Sequence, residues 1–137
     1  MPLTLTATEG VFPAGQEHVA FRRLGEAMLR WHGLEGNKFM TAAVIGSIHI
    51  LPKARTYAAH EQTAVAFVEW RVPPVAFSTP EIRRGYVEEA TRIVQELSTG
   101  LPKDKIWVNV VHAVEGTWGI AGMAMTSDEL GQAIAAG

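Results

Sequence analysis

The sequence contains no cysteine. Disulfide scaffolds, thiolate metal sites and cysteine nucleophiles are therefore excluded. It has no apolar run near the ~20 residues that a bilayer span requires. No charged start followed by an apolar core marks a secretory leader. Neither charge sign is in surplus: 12 Lys and Arg stand interspersed with 14 Asp and Glu, a formal net charge of −2. No basic patch argues for nucleic acid. The five histidines, His18, His32, His49, His60 and His112, include no i, i+4 pair and no clustered ligand spacing, so no metal is expected. No Gly-x-Ser-x-Gly nucleophile elbow occurs, and Gly10 and Gly15 do not form a phosphate loop. The expectation is a cytoplasmic protein that works without a cofactor and binds neither nucleic acid nor membrane.

What is present is enough for one domain. The chain has 137 residues, 47% of them hydrophobic, which suits one packed core and is too short for two ordinary ones. Residues 3–8 alternate loosely and read as a strand that Glu9-Gly10 breaks. Pro13 stands ahead of a helix whose apolar face is Ala20, Leu24, Ala27, Met28 and Trp31, at spacings of three and four. Gly33 and Gly36 end it. The run from Phe39 to Leu51 reads as one long strand, and residues 52–61 as a polar loop.

The pattern then repeats. Thr63 to Trp70 reads as a strand, stopped by Pro73-Pro74. Ser78 and Glu81 stand at capping-box spacing. Ile82, Tyr86, Ala90, Ile93, Val94 and Leu97 mark the buried face of a second helix, which Gly100 ends; Lys105 to Val111 is the next strand. Two β-α-β units follow each other, residues 1–62 and 63–125, in a single domain with a C-terminal tail at 126–137. The tail starts like an N-capped short helix at Ser127-Asp128-Glu129-Leu130. Two right-handed crossovers place both helices on one face of a four-stranded mixed sheet, an α+β architecture. Apolar residues fall on both parities of the strands, so the second face needs cover, and oligomerisation supplies it.

The first strand opens on Pro2. Removal of Met1 would make its nitrogen a secondary amine at the chain terminus. An α-amino group titrates near ~8 in water, and an apolar pocket or nearby cation lowers that value. A neutral, rigid amine near pH 7 is a good general base for a carbon acid, and also a nucleophile. A proline that merely starts a strand is the plainer reading of the residue alone.

Asp104-Lys105-Ile106-Trp107-Val108-Asn109-Val110-Val111-His112, followed by Gly116-Thr117-Trp118-Gly119-Ile120-Ala121-Gly122, resembles the closing strand and hairpin of the tautomerase superfamily. Trp-Gly-Ile-Ala-Gly is similar to the Phe-Gly-Ile-Gly-Gly turn of 4-oxalocrotonate tautomerase. Ile-Trp-Val-Asn is similar to a strand of macrophage migration inhibitory factor, and its first three residues to cis-3-chloroacrylic acid dehalogenase. Pro2 falls where the family places its catalytic proline, and Thr8-Glu9-Gly10 resembles a Leu-Glu-Gly stretch. The resemblance covers nearly the whole chain and implies the fused, double β-α-β members. It also implies a trimer, in agreement with the two-sided apolar sheet.

The resemblance implies site residues one by one. Pro2 is the base. Arg71 falls where the dehalogenase-like members hold a carboxylate, a task suited to a planar guanidinium. Asn109 falls where the inhibitory factor holds a substrate oxygen. Trp118 falls at an aromatic pocket wall, and Trp107 at a tyrosine. Trp31 and Lys38 are further candidates near the first helix end. Each has a plain structural alternative: a surface ion pair for Arg71, a strand-edge cap for Asn109, core or interface packing for the tryptophans, a solvated surface for Lys38. Three arginines of the relatives are Val11, Pro74 and Trp107 here, and the dehalogenase's acidic residue has no firm counterpart, Glu115 being only nearby.

The first reading is thus a cofactor-free tautomerase acting on a small 2-oxo acid or aryl-pyruvate-like enol. The alternatives are hydration, dehalogenation or decarboxylation of an unsaturated acid by the same proline, and a trimeric binding protein with little or no turnover. Retention of Met1 would favour the last.

Overall fold

The computed structural model describes residues 1–137. Its centre is a four-stranded mixed sheet in the order β2-β1-β5-β6. β1 (Pro2–Thr8) runs parallel to β2 (Ile45–Leu51) and antiparallel to β5 (Ala66–Val72), which runs parallel to β6 (Ile106–His112). α1 (Gln16–Trp31) links β1 to β2, and α3 (Pro80–Leu97) links β5 to β6. Both helices cover the same sheet face. There Leu3, Leu5, Ala7, Ala66, Val68, Trp70 and Val72 are buried against Leu24, Met28, Tyr86, Ala90 and Val94.

The period-2 alternation of the strands sends the other residues to the opposite face. No element covers Thr4 and Thr6 of β1, Ser47 and His49 of β2, Glu69 of β5 or Asn109 of β6. Among them stand Ile45, Phe67, Trp107 and Val111, exposed by 60, 37, 63 and 44%. The sheet therefore has one dry face and one open, partly apolar face, as the apolar strand pattern predicts.

Several local expectations are corrected. The run Phe39–Leu51 is two elements, a short helix α2 (Lys38–Ala43) and then β2. Asn37 decides this: its side chain accepts a hydrogen bond from the Met40 amide at 2.9 Å, an N-cap that the apolar run conceals. The loop at 52–61 contains a 3₁₀ turn, Lys53–Arg55, and pairs a two-residue β3 (Tyr57–Ala58) with β4 (Glu61–Gln62). The second-half strand begins at Ala66 rather than Thr63 and runs on to Val72. α3 is capped by Thr79, whose hydroxyl accepts from the Ile82 amide, with Pro80 at its first position; the Ser78–Glu81 box does not form.

After β6 the chain forms a tight hairpin, β7 (Trp118–Ile120) with β8 (Met123–Met125). Ala121 and Gly122 turn it with φ of 54° and 82°, the two positive values that a type I′ turn requires. α4 (Ser127–Ala136) closes the chain. Thr126, not Ser127, is its cap, in a reciprocal capping box with Glu129. Asn37 Nδ2 donates to the Ile134 carbonyl at 2.9 Å and ties α4 to the start of α2. No helix is long and apolar enough to cross a membrane.

Candidate active site

The start of β1, the end of β5, α2, the β7–β8 hairpin and α4 meet around one cavity of about 260 Å³. Pro2, Arg71 and Trp118 all line it, beside Met1, Met40, Ala43, Val72, Pro73, Ile120 and Leu130. Register explains the first pairing. Leu3 faces Trp70 in the antiparallel ladder, so one further step sets Pro2 opposite Arg71. Local chemistry explains the rest. The I′ hairpin folds Trp118 and Ile120 back over the strand ends, and the capping box starts α4 so that Leu130 is buried beneath them. Met40 of α2 is fully buried.

The wall is mostly apolar, and no Asp or Glu belongs to it. Arg71 is the one side chain in the wall with a full charge. Its Nε donates to Glu69 Oε1 at 3.1 Å, two residues back on the same strand face, and its side chain is 71% exposed. Such an exposed pair is worth ~0–1 kcal/mol, so an incoming carboxylate can displace Glu69 at little cost. Arg71 therefore sits at the rim, with its guanidinium in water.

The chain terminus lies inside the cavity. The Met1 amine donates to the Ala43 carbonyl at 2.5 Å. Burial pushes its pKa below the ordinary α-amino value, because desolvation disfavours the ammonium form. In the chain with Met1, the Pro2 nitrogen is an amide and carries no basic lone pair. After removal of Met1, the Pro2 amine would open into the space that Met1 lines.

Trp118 has one unusual feature. Its indole Nε1 is buried and has no hydrogen-bond partner, the only buried side-chain polar atom so placed. Glu115 lies outside the cavity. Its Oε1 accepts from the Ser127 amide at 2.7 Å at the start of α4, and this bond holds its carboxyl below the usual range.

The other candidates are not brought to this cavity. Asn109 and Trp107 project from the open face of β6, in register with Glu69 and Phe67. Val111 is the residue in register with Arg71, and Trp107 lies four residues, about 13 Å, back along the strand. Trp31 ends α1, where its Nε1 donates to Glu89 Oε1 at 3.1 Å and its ring fills the space left by Gly85. Lys38 is exposed at the start of α2. Two histidines are held by backbone. His32 stands between the Met28 carbonyl and the Phe77 amide, and His112 bonds the Ala76 carbonyl. No group of three His, Asp or Glu side chains is placed to hold a metal.

Sequence reasoning missed the apolar half of the wall. Met40 lies inside the apolar run that reads as strand, and Leu130 inside the tail. The signals that locate them are the two caps, Asn37 and Thr126.

No family model matches the sequence, and no curated protein matches it significantly. Solved structures do match. A structure of Pt0534 inactivated by 2-oxo-3-pentynoate superposes with a TM-score of 0.75 at 21% identity, covering 93% of this chain and 98% of that one. A fused 4-OT in a symmetric trimer gives 0.74 at 18% identity, over 96% and 99%. The macrophage migration inhibitory factor of Trichinella spiralis gives 0.61 at 14% identity, over 91% and 100%. At these identities the likeness establishes the fold, end to end.

Proposed function

We propose that this chain, which carries the tautomerase-superfamily fold, is a cofactor-free tautomerase whose base is the Pro2 amine once Met1 is removed. The observation that carries the reading is the convergence of Pro2, Arg71 and Trp118 on one largely apolar cavity, in which burial already lowers the pKa of the Met1 amine. Pro2 would take a proton from the carbon beside a ketone, or from an enol, and return it at the other end of the π-system. Arg71 would exchange Glu69 for the substrate carboxylate. Trp118 and Ile120 would keep water from the neutral amine. One cation suits a monocarboxylate, and the aromatic wall favours an aryl-pyruvate-like enol.

Hydration or dehalogenation needs a group that activates water. The cavity wall holds no carboxylate, and Glu115 is engaged at α4. This favours proton transfer over those reactions.

A homotrimer built through the open sheet face completes the proposal. It would cover Phe67, Trp107 and Val111, as burial of exposed apolar surface favours. It would also offer Asn109 and Trp107 to the Pro2 cavity of a neighbouring copy, since neither lines the cavity of its own chain. There the Asn109 amide would polarise the oxygen on which charge develops.

Intact-mass measurement with a ketonisation assay on phenylpyruvate enol tests the proposal. The expected mass lacks Met1, and Pro2→Ala lowers turnover by about 100-fold, within the range of a general base. A retained Met1, or equal turnover by the two proteins, sinks the assignment.

A further inference from the structure

A second concave surface lies on the helical layer, away from the open sheet face. It is an open groove of about 610 Å³ along the outer side of α3, bordered beyond the helix by Lys103 of the 3₁₀ turn Lys103–Lys105. Its walls carry Arg83, Arg84, Arg92 and Lys103 against a single carboxylate, Glu88. A chain of net charge −2 thus gathers four of its 12 basic residues in one depression.

The pairing pattern makes this more than a solvated helix face. Arg22, Arg23, Arg30, Arg71 and Lys105 each hold a carboxylate partner. Arg84, Arg92 and Lys103 hold none, as Lys38, Lys53 and Arg55 elsewhere hold none, and Arg83 donates to the Phe77 carbonyl at 2.9 Å. What sets the groove apart is that three such cations share one depression. Glu88 stands four residues from both Arg84 and Arg92, the spacing at which Arg22 pairs with Glu26 on α1, and forms no ion pair with either. The acidic residues that α3 turns toward α1, Glu89 and Glu96, are held there by Arg30 and Arg23. Two of the four acids of α3 are thus engaged toward α1, which leaves Glu88 as the one carboxylate among the cations of the groove.

From this we propose that the groove binds a small organic molecule carrying two or more phosphate groups. Arginine presents a planar fork that meets phosphate oxygens bidentately, and lysine adds a point charge. Arg84 and Arg92 are eight residues apart, about 12 Å along the helix axis. Two long, flexible guanidinium side chains reaching in from that spacing suit a multiply charged anion better than a single phosphate. The groove volume lies within the ~300–1,000 Å³ of small-ligand sites. Trimer assembly through the sheet leaves the groove open, because the helices cover the opposite face.

Calorimetric titration of the full chain with inorganic tripolyphosphate, and separately with monophosphate, tests this. Tripolyphosphate is expected to bind at least tenfold more tightly than monophosphate. R84Q/R92Q is expected to lose that binding by tenfold or more, K103Q by severalfold, and R22Q by nothing. All four positions are away from the Pro2 cavity, so the variants keep wild-type turnover, and unchanged far-UV spectra show that they fold. Equal affinity for the two anions overturns the proposal. So does wild-type binding by R84Q/R92Q, or a single-stranded RNA oligomer that outcompetes tripolyphosphate at equal phosphate concentration.

Discussion

Two tryptophans in this chain put opposite demands on their indole N–H. Trp70 is fully buried and donates to the Tyr86 hydroxyl at 2.8 Å, which in turn donates to the Leu24 carbonyl at 3.0 Å. Burial of that phenol pushes its pKa well above the ordinary tyrosine value, so it remains a neutral donor and acceptor at every physiological pH. Tyr86→Phe would leave the Trp70 N–H buried without an acceptor, at a cost of about 1–3 kcal/mol. Trp118 has no partner to lose. Trp118→Phe deletes an unsatisfied donor while keeping an aromatic wall, so the relief offsets the lost area and stability is expected within about 1 kcal/mol of wild type. Urea denaturation of both variants reads the contrast. A larger loss for Trp118→Phe than for Tyr86→Phe would mean that the Trp118 N–H is satisfied.

The α1–α3 seam shows how an element contact combines packing with charge. Trp31 lies over Gly85, where an added Cβ would collide with the ring. Gly85→Ala is expected to cost about 1–3 kcal/mol by overpacking and to lower the melting temperature without touching the cavity. Glu89 accepts from Trp31 and Arg30 across the same seam. Its burial raises the pKa, but the hydrogen bonds from Arg30 and Trp31 outweigh that, and the net value lies below the ordinary carboxylate range. The folded state therefore holds this proton less tightly than the unfolded chain does. The stabilisation is present above the unfolded value and is lost as pH falls through the folded one. Glu89→Gln should be less stable than wild type at pH 7, with the gap closing as pH drops through the carboxylate range. A gap constant from pH 7 to pH 3 would show that the Glu89 charge contributes nothing. This seam also marks what the sequence could tell. The helical faces of α1 and α3 and the alternation of β1 and β5 follow from periodicity, because each buries one side. Trp31 is a site candidate through the resemblance alone, and its packing against Gly85 and Glu89 is not legible in the sequence because that contact exists only in the packed pair. α2 reads as strand because its one decisive signal is a polar cap, Asn37, outside the apolar run.

At the scale of the whole molecule, the open sheet face and the split placement of the candidate residues raise one question. Pro2 and Arg71 share a cavity, whereas Asn109 and Trp107 stand on exposed sheet. A sequence displays all four alike, since position along a chain carries no information about which copy a residue serves. In a cyclic trimer each interface joins two different patches, so a site can take Pro2 from one subunit and Asn109 from the next. Light scattering should give three times the chain mass for wild type, and Trp107→Glu should shift the population toward monomer by placing a charge in an apolar contact. Mixing then decides the arrangement. Pro2→Ala and Asn109→Ala are each expected to be weak catalysts alone. Unfolded together and refolded as an equal mixture, they form trimers in which some interfaces combine an intact Pro2 with an intact Asn109. Random assembly restores roughly a quarter of the wild-type sites. If Pro2 and Asn109 worked within one chain, every site would still lack one of them, and the mixture would be no more active than the average of its parts.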